Sequence, residues 1–340
     1  LAATLELDSG SKTLSKEKSA EKAKMLAAFL PRGEGATDRS VPDAGKGQGR
    51  GALLVPPIPG TLASLSLSRD LHAIWQVREQ LLPADALQGL AGLDTFAGQF
   101  FAARDFDSGV LEKLGSDWRL IVAEQTLEPK SPTPDVKLPA FGLVVGLRGG
   151  PLGDDFGTRL KVAFQSILGL ANLGSAETKA PPLMLGSEQF EGVELTTSRF
   201  LLPATASEPS KTKNPPVHYR HNFSPTAAVV GDKFVLSSSL PLARDLVKAL
   251  KSGGPPSEAT LVLTASGQGA AKALSENKER LIAQNMLEQG NDRTTASQQI
   301  DLLLEAIRYL GQGSLQVVDR PESSRFELRF QLQQAGANRP

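Results

Sequence analysis

Hydrophobic and polar residues alternate along this chain in short stretches, and each stretch gives way to helical spacing. "TLASLSLS" at 61–68 alternates with the period of a strand that has one buried face, and a helical pattern follows it through Trp75. "KFVLSSS" at 233–239 leads in the same way into "LARDLVKAL". The pattern predicts strand–helix units at 1–30, 61–82, 141–172, 232–250 and 260–287.

Hairpin signals separate these units. The chain is predicted to turn back on itself near Glu191-Gly192, Gly231-Asp232 and Pro321-Glu322, where turn-forming residues interrupt strand-like runs. Because hairpins join antiparallel strands, the sequence predicts an α+β fold with mainly antiparallel sheets, helices packed on one face, and internal pseudo-repeats of strand–helix units. The unequal spacing of the units excludes a solenoid.

Composition shifts along the chain predict three segments. Residues 1–31 read as an N-terminal strand–helix segment, which is either complete or a fragment of a larger unit. Residues 32–51 are Gly-rich and nearly free of large apolar groups, which is typical of a linker or loop. Residues 52–335 form the predicted main α+β body, with two pseudo-repeated halves, 52–175 and 176–335, as one reading of it.

One three-residue sequence occurs at the start of two predicted helices. Arg69-Asp70-Leu71 and Arg244-Asp245-Leu246 each follow a strand and a run of small residues. An Asp in the first helical turn interacts favourably with the positive end of the helix dipole, and the Leu enters the core. We interpret the recurrence as structural, although the dipole does not account for the two arginines.

Composition excludes several classes of function. The 37 basic residues balance the 37 acidic ones, and only 5% of residues are aromatic, so the sequence does not predict binding to nucleic acid. No cysteine is present, which excludes disulfides and thiolate metal sites. No apolar run is long enough to span a membrane. The chain starts at Leu1 without a signal peptide, which leaves an upstream signal or anchor open.

Two glycine patterns resemble phosphate-binding motifs. In "LVLTASGQGAAKAL" a strand leads through Gly267 and Gly269 into a helix, but Lys272 stands where a dinucleotide fingerprint needs a small residue. A basic residue near the helix start would still suit an anion. "GKGQGRG" at 45–51 offers Lys46 but is followed by a strand rather than a helix, so we interpret it as linker.

Metal sites are not predicted. His218 and His221 lie in "VHYRHNF", which reads as a strand, and residues three apart on a strand point to opposite faces. His72 is alone on a predicted helix. "DFDSG" at 105–109 resembles the start of a calcium loop, but the twelfth position is Ser116 rather than Glu. We therefore expect neither metal nor other cofactor.

No complete catalytic motif is present, so the sequence predicts a non-catalytic binding or structural module, whose ligand or partner the residues do not name. Two alternatives stay open. One is a hydrolase whose acidic residues, for instance Asp105, Asp107 and Asp117, converge in three dimensions. The other is a carrier of lipids or hydrophobic ligands that uses the apolar side of the predicted helix at 156–172.

Several stretches carry a family resemblance, and they cover most of residues 60–310: "SRDLHAIW", "FFAARDFDSGVLEKLGSDWRLIVAEQ", "KLPAFGLVVGLRG", "FSPTAAVVGDKFVLSSSLPLARDLV" and "LIAQNMLEQG". In them the chain resembles a family of planctomycete-type exported proteins, a domain-of-unknown-function group with repeated strand–helix units. The resemblance implies a location outside the cytoplasm, in the periplasm or cell envelope, where another envelope protein is one possible partner. It implies no site residues.

Overall fold

Eleven strands form one sheet in the computed structural model, which describes residues 2–8, 51–101, 105–128, 133–148, 156–177, 181–201, 219–255, 257–319 and 323–332. In chain order the strands are β1 (Ala2–Asp8), β2 (Thr61–Ser68), β3 (Leu114–Ala123), β4 (Ala140–Leu147), β5 (Leu183–Phe190), β6 (Val193–Phe200), β7 (Thr226–Val230), β8 (Lys233–Ser237), β9 (Leu261–Ser266), β10 (Gln312–Asp319) and β11 (Ser323–Gln331). Across the sheet their order is β1-β11-β10-β9-β2-β3-β4-β8-β7-β6-β5.

The helices lie in the connections between strands. They are α1 (Leu71–Gln76), α2 (Arg78–Leu81), α3 (Ala84–Leu90), α4 (Gly92–Phe101), α5 (Phe106–Gly109), α6 (Phe156–Glu177), α7 (Leu240–Ser252), α8 (Gly267–Ser275), α9 (Lys278–Gln289) and α10 (Arg293–Tyr309), with 3₁₀ turns at Leu111–Lys113 and Arg220–Asn222. Among the helices of the described ranges, none combines the length and the hydrophobicity needed to cross a membrane.

The predicted antiparallel α+β fold is confirmed, because every described strand pairing is antiparallel. The β5–β6 and β7–β8 hairpins turn where the sequence predicted, at Gly192 and Gly231, whose positive φ angles of 75° and 59° suit glycine. β10 and β11 also form the predicted hairpin, but its turn residues lie outside the described ranges.

The internal repeat is not confirmed. β2, β3 and β4 occupy the middle of the sheet, whereas β5–β8 extend it on one side and β9–β11 on the other. The predicted half 176–335 is therefore divided between both sides of the predicted half 52–175. β1, from the predicted N-terminal segment, pairs with β11 at the edge of the same sheet.

The prediction that helices pack on one face is too narrow, because helices cover both faces. α6 packs Phe164 and Leu168 against Ala227 of β7, whereas α7 packs Leu246 against the next residue, Ala228. Successive residues of a strand point to opposite sides, so α6 and α7 lie on opposite faces of the sheet. A strand alone does not specify which face the helix after it will cover.

The Arg-Asp-Leu sequences occupy different positions in their helices. Asp70 is the N-cap of α1 and accepts a hydrogen bond from the Ala73 amide at 3.1 Å, which places Arg69 before the helix. In α7 the N-cap is Ser239, so Arg244-Asp245 lies in the second turn rather than the predicted first. The recurrence is therefore not one motif with one role.

Arg244 has a role that the helix dipole does not explain, because it forms ion pairs with two glutamates. Its guanidinium binds both oxygens of Glu188 on β5 at 2.7 Å, and its third nitrogen binds Glu128 at the same distance. These hydrogen bonds, above all those that Glu188 accepts, raise the pKa of Arg244. A bidentate pair of this kind fixes direction as well as distance, so Arg244 holds α7 against the end strand of the sheet.

Helix α7 and the strand beneath it form the main core. Leu242, Leu246 and Val247 recur at helical spacing on the buried side of the helix. Gly142 of β4 lies below them, and a Cβ at that position would be 2.7 Å from a Leu246 methyl group. Helix and sheet therefore approach more closely than a larger side chain would allow.

Truncation of Leu246 to Ala is expected to lower the free energy of unfolding by about 2–5 kcal/mol, because it removes buried methyl groups and leaves a cavity in the core. The measurement is urea denaturation followed by circular dichroism. Leu302→Ala is the matched control, since Leu302 is 73% exposed on α10. An equal loss of stability in the two variants would contradict this description of the core.

Candidate functional site

The middle of the sheet has a polar face that is covered and an apolar face that is open. On β2, Ser64 and Ser66 point to the covered face, and Ser66 is only 2% exposed. Leu65 and Leu67 point to the other face. Hydroxyl side chains on a strand usually face water, so their burial here is unusual and indicates that the covered face has a polar role.

A row of hydroxyl groups crosses the covered face. Ser64 of β2 lies opposite Thr264 of β9, which lies opposite Ser314 of β10, and Arg329 of β11 ends the row. The Ser64 and Thr264 hydroxyls are 2.8 Å apart and share a hydrogen bond. These side chains form the floor of a cavity of about 1130 Å³.

Residues 51–58, here named the covering segment, lie across this face. The Ala52 amide donates to the Ala259 carbonyl at 2.6 Å, and Val55 and Ile58 pack against Ile121 of β3. Two glycine contacts bring the backbones together: a Cβ on Gly254, for example, would lie 1.6 Å from the Leu54 carbonyl oxygen. The covering segment thus turns an open sheet face into a cavity.

Arg119 is the buried cation of the cavity. It lies on β3 opposite Ser66, lines the cavity, and is 7% exposed. Its Nη1 is 3.5 Å from the Val55 carbonyl oxygen, and its Nε has no hydrogen-bond partner. Burial lowers the pKa of this guanidinium, and no carboxylate of the described residues forms an ion pair with it.

The other two cations that line the cavity are already paired. Lys272 of α8 lies 2.6 Å from Glu124, whose hydrogen bond raises the lysine pKa. The Arg329 Nε donates to Glu327 at 2.6 Å, and this contact lowers the pKa of the glutamate. Arg119 is therefore the cation of this set that lacks an anion within the described part of the chain.

The start of α8 also opens on the cavity. Ser266 caps the helix by accepting a hydrogen bond from the Gly269 amide at 3.1 Å, and Gln268 and Gly269 line the wall. The positive end of the helix dipole favours anions close to it. The glycine pattern that resembled a dinucleotide motif thus lies at the cavity, although its Lys272 is engaged by Glu124.

These groups have the chemistry to bind an organic anion. A buried guanidinium supplies a fixed positive charge and up to five donors, and the hydroxyl row can both donate and accept. The apolar surface comes from the covering segment, through Leu54, Val55 and Ile58. The arrangement resembles an ordinary ligand site, in which few polar groups orient a molecule held by apolar walls.

The carboxylates of the predicted hydrolase alternative have separate partners. Asp107 is 2.8 Å from His72 Nδ1 and also accepts from Gln76, while Asp117 forms an ion pair with Lys233 at 3.0 Å. Asp105 caps α5, and the hydrogen bonds from the Ser108 amide and hydroxyl lower its pKa. Nothing in these contacts makes two of the carboxylates share one proton or one water.

The histidines do not form a metal site within the described ranges. His221 lies in the 3₁₀ turn Arg220–Asn222 rather than in the predicted strand, and His218 lies outside the described residues. The turn forms because Asn222 is buried and bonds the Val136 and Tyr219 carbonyls at 2.7 Å each. Across the described part of the chain, no group of three or more His, Asp or Glu residues could hold an ion.

The helix of the predicted carrier alternative, α6, is packed rather than hollow on its apolar side. Phe164 and Leu168 contact Ala227 and Phe234 of the sheet, and Phe156 packs against the helices of 92–109. The cavity at Arg119 lies elsewhere and has a polar floor. No described residue of α6 lines that cavity.

Sequence reasoning missed Arg119 because nothing about "DWRLIVAEQ" marks its arginine as buried. The alternation of that strand does place Arg119 on the same side as Ile121 and Ala123, which are core residues. A charged residue in phase with core positions was the available signal. The same pattern occurs where a strand ends and its last side chains are exposed to solvent, so the sequence could not distinguish a buried arginine from an exposed one.

Gly254→Ala is expected to move the covering segment, because the new Cβ would overlap the Leu54 carbonyl. We expect a loss of about 1–3 kcal/mol in the free energy of unfolding, as for other overpacked sites. Gly169→Ala, in open space on α6, is the matched control and should be neutral or slightly stabilising. Urea denaturation measures both, and equal stability of the two variants would contradict the contact.

Comparison with known proteins adds no relative: no protein-family model, no curated protein and no solved structure matches this chain. The resemblance to exported planctomycete-type proteins therefore stays a prediction.

Proposed function

We propose that the protein is a non-catalytic binding module, and that its ligand is a small organic anion carrying hydroxyl groups, which binds in the cavity on the covered face. One observation carries the proposal. Arg119 is almost fully buried, lines the cavity, and has neither a carboxylate partner among the described residues nor a partner for its Nε.

The energetic argument concerns the cost of burying a charge. An ionised group that leaves water without a partner loses several kcal/mol of solvation, which the fold must offset elsewhere. Retaining Arg119 in this position is easiest to explain if a bound anion restores the lost interactions. A carboxylate or phosphate would accept from the guanidinium, while the hydroxyl row at Ser64, Thr264 and Ser314 would bind the polar body of the ligand.

The first test is calorimetric titration with glucuronate, glucose 6-phosphate, inorganic phosphate and neutral glucose. We expect binding of the sugar anions and no binding of glucose. Arg119→Met should weaken anion binding by at least ~30-fold, the factor that corresponds to loss of about 2 kcal/mol from a buried charge contact. Arg293→Gln is the matched control, since Arg293 is an exposed cation paired with Glu279 on α9.

Stability without ligand separates this role from a structural one. Because Met removes the desolvated charge but keeps an unbranched apolar side chain that replaces the aliphatic part of Arg, we expect Arg119→Met to be as stable as the parent protein or more stable when no anion is present. If Arg119→Met instead lowers the melting temperature by many degrees and no anion binds the parent protein, Arg119 is structural and the proposal fails.

We further propose that this module works outside the cytoplasm, in the periplasm or cell envelope. The support is the family resemblance of the stretches between residues 60 and 310. Fractionation of the source cells, with an antibody raised against the protein, should find it in the envelope or periplasmic fraction. Recovery with the cytoplasmic enzymes alone would contradict the proposed location.

A further inference from the structure

The open face of the central sheet carries three parallel rows of apolar residues. Across β4, β3, β2, β9, β10 and β11, paired in register, the rows are Phe141, Val122, Ala63, Ala265, Gly313, Phe330; then Leu143, Leu120, Leu65, Leu263, Leu315, Leu328; then Val145, Trp118, Leu67, Leu261, Val317, Phe326. We name these residues the leucine face, after the six leucines of the middle row. No charged side chain belongs to it.

Much of the leucine face is exposed. Leu120, Leu263 and Leu328 of the middle row and Phe141 and Phe330 of the first row are 37–46% exposed. The third row is partly covered, since Val145 and Val317 are buried. Scattered exposed leucines are ordinary, but a contiguous apolar surface that crosses six strands marks an interaction site.

We propose that the leucine face is the interface of a homodimer, in which a second copy of this chain packs its own leucine face against the first. The proposal is independent of ligand binding, because the cavity opens on the opposite face of the same strands.

The size of the face fits a second copy. Strands lie about 4.8 Å apart and same-face residues about 6.8 Å apart, so three rows over six strands cover about 600 Å². Two copies would bury at most about 1,200 Å², the lower end of the range for specific protein–protein interfaces, because part of the third row is already covered. The single largest apolar patch of a typical monomer covers about 300–600 Å² and is often functional, so the leucine face lies at the upper end of that range.

The chemistry of the face also fits a second copy. In a two-fold dimer each patch meets itself, so any charge on the patch would meet a like charge close to the axis. The leucine face has none, and its middle row presents the same side chain on every strand. Two such sheets can pack face to face at about 10 Å with their leucines interdigitating, as the layers of a β-sandwich do.

The test begins with the oligomeric state of the full chain, measured by sedimentation equilibrium over a range of concentrations. We expect the parent protein to be a dimer. Leu263→Glu should weaken the dimer on the order of 100-fold or more, because the two-fold axis brings two new carboxylates into the interface. The matched control is Leu302→Glu, an exposed leucine on α10, which should remain dimeric.

Cross-linking then tests which surfaces meet. The chain has no cysteine, so Leu263→Cys creates a single thiol near the middle of the leucine face. A short bis-maleimide should link two copies of Leu263→Cys and should not link two copies of Leu302→Cys. This measurement does not require Leu263→Glu to fold.

Three outcomes would overturn the proposal. A parent protein that stays monomeric at all concentrations excludes the dimer, and a dimer that Leu263→Cys does not link uses another surface. Binding of the monomer to neutral phosphatidylcholine vesicles, lost in Leu263→Glu, would assign the face to lipid. Anion binding by a monomeric Leu263→Glu variant should persist, so failure of the dimer and failure of the proposed function remain distinguishable.

Discussion

The pairing of β2 with β3 on one side and β9 on the other is the constraint on which the rest of the structure depends. Without it the strands β3–β8 and β9–β11 would be two unconnected sheets. Its register also fixes the two faces: Ser66 lies opposite Arg119, and Leu65 opposite Leu120. Because side chains alternate, a slip of one residue would put leucines in the cavity and serines on the open face.

On the covered face, the fold shields a polar surface from bulk water and leaves the space above that surface unfilled. The covering segment is held by its backbone, through Ala52 and the close approach of Leu54 to Gly254, and by Val55 and Ile58, which pack against Ile121. A cavity remains above the hydroxyl row. Arg119 has few interactions with its protein neighbours, since its Nε has no hydrogen-bond partner and its Nη1 lies 3.5 Å from the Val55 carbonyl oxygen; the proposed anion would supply the missing interactions.

Sequence patterns over a few residues were sufficient to predict elements whose geometry depends on those residues alone. The turns at Gly192 and Gly231 need positive φ, which short-range chemistry predicts. The predicted strand–helix unit at 260–287 has two helices in place of one, because α8 and α9 are separated at Asn277, whose side chain bonds both the amide and the carbonyl of Lys137. A contact between residues 140 positions apart leaves no trace in the spacing of nearby residues.

The sequence by itself determined most of the strands, the antiparallel hairpins and the class of fold, because alternation and turn chemistry act over a few residues. It did not place the two Arg-Asp-Leu sequences correctly, since one spans the N-cap of α1 and the other lies in the second turn of α7. Only the tertiary structure decided which face of β2 would be covered, that Arg119 would be buried without an anion, and that the leucines of six strands would align. Each of these features depends on pairing between distant strands. Alternation with period two defines the two faces of a strand but does not indicate which face other elements cover.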